Sequence, residues 1–107
     1  MKQSAGLGGL GRFAEPAVLV MVSLAQGAKH GYAITSDIEV VSGFRLGPGT
    51  LYGAIARLEE RGLIEPVPSD DRRRPYRLTA RGAEALRGHL EMLKRVTTAG
   101  SRRLAKT

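Results

Sequence analysis

The chain has 107 residues, with 17 Lys and Arg against 10 Asp and Glu and a formal net charge of +7, so it reads as one small domain with no room for a second, enzymatic one. Neither cysteine nor tryptophan occurs, which excludes a disulfide framework, a thiolate metal site and a cysteine nucleophile, and leaves a core of Leu, Val, Ile and Ala. Residues 1–71 carry net −2 and residues 72–107 carry +9, the footprint of a polyanionic partner such as nucleic acid or an anionic membrane.

Residues 1–14 read as a flexible Gly-rich tail. Within it, Gly6-Leu7-Gly8-Gly9-Leu10-Gly11 matches the GxGxxG dinucleotide fingerprint. That motif works only between a strand and a helix, and five preceding residues are too few for the strand. Lys2 and Arg12 before the apolar run Ala17–Ala25 imitate a secretory leader. Glu15-Pro16 interrupts the approach, and cleavage near Gly27 would strip the most apolar segment from a thin core.

From Pro16, the run Ala17–Gln26 followed by Gly27 predicts a first helix, with Pro in the first turn and Gly just past the end. It is apolar nearly all round and therefore central. Gly31–Ser42 predicts a second helix, with Ile34, Ile38 and Val41 inward and Gly43 as its stop. Pro48 opens a third, with Leu51, Ile55 and Leu58 inward and Gly62 closing it. Leu63–Val67 and Tyr76–Thr79 then pair as a short hairpin around the polar tip at residues 68–75. Pro66 restricts that hairpin to an edge. Thr79 caps a last helix over 80–100, with Leu86, Leu90, Leu93 and Thr97 spaced as a heptad-like seam that pairs most simply with a second copy. Gly82 and Gly88 weaken this helix, Gly100 ends it, and residues 101–107 form a basic tail. The class is mainly α (α+β): a winged helix-turn-helix over 15–79 followed by a dimerisation helix.

The ordered motifs HGY at 30–32, PGTLY at 48–52, RLEERGLI at 57–64 and YRLT at 76–79, followed by Gly82, resemble those of PadR-type transcriptional regulators, in the short subfamily with one C-terminal helix. The resemblance covers about residues 15–90. It implies a cytoplasmic homodimeric repressor that binds a palindromic operator in double-stranded DNA, is released by small hydrophobic or aromatic compounds, and needs no cofactor and no membrane. Gly53 departs from the family's frequent Pro after LY. Where relatives stack planar drugs on an aromatic residue of the last helix, this chain offers His89, Met92 and Val96.

In a winged helix the third helix enters the major groove and the hairpin reaches the neighbouring backbone. With its apolar face turned inward, the third helix leaves Arg57 as the residue able to grip guanine bidentately. The competing role for Arg57 is an ion pair with Glu60. Tyr32 and Tyr52 offer hydroxyls to phosphate or pack between helices, and the Gly49 and Thr50 amides lie at a helix N-terminus suited to an anion. Arg72, Arg73 and Arg74 sit on a tip where no core competes for them, so DNA contact is the better reading. Dimer contacts fall to Leu86, Leu90, Leu93 and Thr97, and an effector would be lined by Val18, Met21, His89, Met92 and Val96. Two separated histidines and no nucleophile–base pair argue against metal binding and against an enzyme. The alternative is a basic membrane-surface or protein-interaction module that buries the last helix's seam elsewhere, and it leaves the helix-turn-helix unexplained.

Overall fold

The computed structural model describes residues 16–70 and 72–106. The tail expected over 1–14, its GxGxxG match and the leader-like Lys2 and Arg12 lie outside the described residues. The elements run α1 (Pro16–Leu24), α2 (Gly31–Ser42), α3 (Pro48–Glu60), β1 (Ile64–Pro66), β2 (Tyr76–Leu78) and α4 (Ala80–Ala105).

Helix α1 is the hub. Val20, Met21, Ser23 and Leu24 are buried in it, and Ala17, Val18, Leu19 and Val22 pack partly against the same core. Uniform apolarity is what such a position requires, because α2, α3, β2 and α4 all approach it. Against α1, α3 buries Leu51, Ala54, Ile55 and Leu58, and α2 buries Gly31, Ile34, Thr35 and Ile38. Val41, expected inward, is exposed together with Val40. The periodicity does put Val41 on the face of Ile34 and Ile38, but among the described residues no element extends far enough to cover the last turn of α2.

Glycines close two helices as their positions imply. Gly43 takes φ 81 and its amide donates to the Glu39 carbonyl. Gly62 has φ 74, its amide donates to Glu59 at 3.0 Å, and the Leu63 amide donates back to Leu58 at 2.9 Å. This double bond pattern is a Schellman motif, which needs a left-handed residue that Gly supplies without steric cost.

The hairpin is antiparallel, pairing Ile64 with Leu78, Glu65 with Arg77 and Pro66 with Tyr76. The Val67 amide donates to Pro75 and the Thr79 amide to Leu63, so alternation makes Pro66–Tyr76 a pair without ladder bonds, and the missing Pro66 N–H costs nothing. Tyr76 directs its own backbone groups to the opposite side, exchanging bonds of 2.9 and 3.0 Å with Lys29. Lys29 thus forms an isolated third bridge that makes β2 central.

Helix α4 begins as expected and ends later. Thr79 is its N-cap, accepting from the Gly82 amide at 3.0 Å and donating to the Gly62 carbonyl at 2.7 Å. Gly82 is no mere weak point. A Cβ there would stand 1.9 Å from the Leu63 carbonyl oxygen, so its absence lets α4 dock against the backbone just before β1. Gly100 does not end the helix, which continues to Ala105. A mid-helix Gly costs only about 1 kcal/mol, and Ser101–Ala105 contains good helix formers with Arg102 and Arg103 favourably placed against the C-terminal dipole. The basic tail is therefore mostly the seventh and last turn of α4.

Candidate nucleic-acid interface

One face of the molecule gathers the start of α2, the outer side of α3 and the hairpin tip. A cleft on it is lined by His30, Gly31, Tyr32, Tyr52, Arg72, Arg73, Arg74 and Tyr76. His30 stands at the N-cap of α2 without capping it through its side chain. Tyr32 is 71% exposed and Tyr52 53%. Tyr52 is nonetheless seated: a Cβ on Gly31 would fall 2.2 Å from its hydroxyl oxygen. The ring of α3 thus lies over the bare backbone where α2 begins, which ties the HGY and PGTLY motifs together in space. Its packing role and its availability to a ligand coexist.

At the head of α3, Gly47 is the N-cap with extended backbone and Pro48 occupies the first turn. The first backbone bond of the helix runs from the Leu51 amide to Gly47, so the Gly49 and Thr50 amides have no helical acceptor. Both residues are exposed, and the helix dipole makes their surroundings favourable to an anion.

Arg57 is exposed one to two turns further along. No carboxylate pairs with it among the described residues, where ion pairs join Lys29 to Asp37, Arg45 to Glu39, Arg77 to Glu65 and Arg87 to Glu84. The expected competitor Glu60 does not hold it. Its Nη1 instead lies 3.7 Å from where a Cβ on Gly53 would be. The guanidinium of Arg57 therefore folds back along α3 over a residue with no side chain. Arg72, Arg73 and Arg74 are all exposed at the tip, and Arg72 and Arg74 also line a second concavity with Pro66–Ser69.

The residues assigned to dimerisation separate. Leu86 is only 5% exposed and belongs to the chain's own core, which removes it from any seam offered to a second copy. The cause is geometric, because Gly82 brings the first two turns of α4 tight against the body and Leu86 is carried in with them. Leu90 is 43% exposed, Leu93 half-buried and Thr97 exposed. Beyond Leu86 no residue of α4 is buried. Leu104, 75% exposed, follows Thr97 by seven residues and extends the stripe, a position sequence reasoning missed by stopping the helix at Gly100.

The assigned effector-lining residues separate too. Met21 lies in the core and Val18 packs partly against it, whereas His89 is half-buried and Met92 and Val96 are exposed.

Residues 20–88 match the family model described as the transcriptional regulator PadR-like family. The chain is 49% identical over 80 residues to an uncharacterized 37.1 kDa protein in a transposon of Streptomyces fradiae, covering 75% of this chain but only 23% of that protein's length. Among solved structures, a PadR family transcription regulator from hypervirulent Clostridium difficile superposes with a TM-score of 0.76 at 26% identity, covering 83% of this chain and 97% of the other. A PadR family transcriptional regulator from Eggerthella lenta superposes with a TM-score of 0.69 at 27% identity, covering 96% and 95%. With its winged-helix body, its long C-terminal helix and its ordered motifs, the chain belongs to the PadR-like family of transcriptional regulators.

Proposed function

We propose that this chain is a sequence-specific DNA-binding regulator that acts as a homodimer on a palindromic operator, as a repressor released by a small hydrophobic effector. The observation that carries the DNA reading is the cleft at which the exposed Tyr32, Tyr52 and Arg72–Arg74 meet, with Arg57 exposed further along the helix that carries Tyr52. Each part has a distinct task. Arg57 reaches a base edge and reads guanine. Tyr32, Tyr52 and the Gly49 and Thr50 amides hold phosphates and set the register of α3 in the groove. The wing arginines supply sequence-independent attraction to the flanking backbone.

The homodimer reading rests on distal α4, where Leu90, Leu93, Thr97 and Leu104 form an uncovered stripe. Two copies related by a two-fold axis bury each other's stripe and present two recognition helices to two half-sites, which is why the operator is palindromic. Small hydrophobic compounds enter, on this reading, beside Val18, His89, Met92 and Val96. The test is selection of bound sites from genomic DNA followed by gel shifts on the enriched sequence. A two-fold symmetric site bound by two chains is expected, and enrichment of no sequence over random duplex refutes the reading.

A further inference from the structure

The hairpin tip accounts for three of the cations that make the last third of the chain basic, and distal α4 carries most of the rest. From residue 92 onward α4 contains Lys94, Arg95, Arg102 and Arg103, Lys106 caps its end, and the stretch holds not one acidic residue. Arg95 and Arg102 are seven residues apart, and Lys106 is four further on, so these three share one side of the helix. Leu93 and Gly100, each two residues earlier, look roughly 200° away. Arg95, Arg102 and Lys106 therefore occupy the side opposite the apolar stripe, and Lys94, one turn after Leu90, flanks it. Lys94, Arg95 and Arg102 line a shallow groove with Glu91, Thr98 and Ala99, and all three are exposed with no ion pair among the described residues.

We propose that this outer face of α4 is a second phosphate-binding surface for duplex DNA, blind to sequence and separate from the recognition face. The inference rests on the DNA-binding reading above. What selects the partner is what the groove lacks. A protein interface needs an aromatic or aliphatic anchor in a desolvated pocket, and a membrane-surface helix needs bulky apolar residues to insert beside its cations. The lining here offers only the methyl of Ala99 and the side chain of Thr98. A surface of cations without anchors gains free energy chiefly by releasing counterions from a dense polyanion, and duplex DNA, with one charge per roughly 1.7 Å, is the densest available. Because Arg95 and Arg102 lie opposite the stripe, dimerisation along it leaves them open on both protomers.

The test uses the full chain carrying Lys94→Gln, Arg95→Gln and Arg102→Gln together, on helix positions that tolerate Gln. Affinity for a duplex of scrambled sequence is measured across a salt series, beside wild type and a variant with Arg72–Arg74 replaced by Gln. The slope of log affinity against log salt falls by about 2 to 3 with three contacts removed, with at least a roughly tenfold loss at low salt, while sedimentation and circular dichroism stay as in wild type. A wild-type slope in the α4 variant, with a reduced slope in the wing variant, overturns this proposal and leaves the regulator reading intact. No duplex binding by wild type overturns both. An unchanged duplex slope with lost binding to polyglutamate or anionic vesicles overturns it in favour of those partners.

Discussion

Replacing Gly82 by Ala is expected to destabilise the protein, although Ala is the better helix former. The new Cβ would lie 1.9 Å from the Leu63 carbonyl oxygen, 2.9 Å from its carbon and 3.2 Å from Leu78 Cδ2. The carbonyl cannot swing away freely, because it accepts the Thr79 amide at 3.1 Å, and Thr79 in turn caps α4 at the Gly82 amide. The helix must therefore lift by more than an ångström, loosening its cap and the packing of Leu86. Overpacking of this kind costs about 1–3 kcal/mol and a compromised cap about 1 kcal/mol, against a propensity gain of about 1 kcal/mol. The net is a loss of roughly 2 kcal/mol, or a fall in Tm on the order of 10 °C for a domain of this size. Gly88→Ala is the control, since nothing lies within 4 Å of its added Cβ, and it gains about 0.5–1 kcal/mol. Urea and thermal melts followed by circular dichroism at one fixed protein concentration separate the two, because dimer dissociation makes Tm concentration-dependent. A Gly82→Ala protein as stable as Gly88→Ala would show that α4 does not dock on the Leu63 backbone.

Four further outcomes follow from the same geometry. Arg57→Ala lowers the preference for operator over scrambled duplex by about 1–3 kcal/mol and leaves scrambled-duplex affinity nearly unchanged; equal losses on both in a gel shift would remove Arg57 from base reading. Leu86→Ala costs about 2–5 kcal/mol of folding stability by opening a cavity. Leu90→Lys and Leu104→Lys keep the fold by circular dichroism and sediment as monomers at micromolar concentration, whereas dimers in both cases refute the stripe. Gly31→Ala displaces the Tyr52 ring, whose hydroxyl oxygen a Cβ would approach to 2.2 Å, so binding to operator and scrambled duplex weakens together in fluorescence anisotropy while the melting curve barely moves.

Where the chain's periodicity and its punctuation agreed, the elements were legible. Pro16, Pro48, Gly43, Gly62 and Thr79 marked helix ends because each answers a local backbone need that no distant contact overrides. Pro66 likewise announced its own edge position. What escaped were properties set by distant neighbours. Gly82 looked like a weak helix residue because its role depends on Leu63, some twenty residues away. Leu86 kept perfect seam spacing, yet docking of the first two turns of α4 took it inward. Gly100 resembled a stop, and continuing past it added Leu104 to the stripe. Lys29 gave no strand signal, since a single bridge to Tyr76 is too short to leave a pattern. At the interface, the exposure of Tyr32, Arg57 and Arg72–Arg74 followed from their residue types, whereas the seating of Tyr52 over Gly31 joins two motifs that sequence alone lists apart.

That seating also determines how the protein can be re-engineered. A recognition helix whose aromatic side chain rests on another helix's bare backbone is not a portable cassette. Transplanting α3 onto a related scaffold brings the tyrosine but not the vacancy beneath it, and any side chain waiting there would tilt the graft relative to the groove. Libraries that diversify the exposed side of α3 should therefore hold 31 and 52 as one unit and vary 53 and 57 around it.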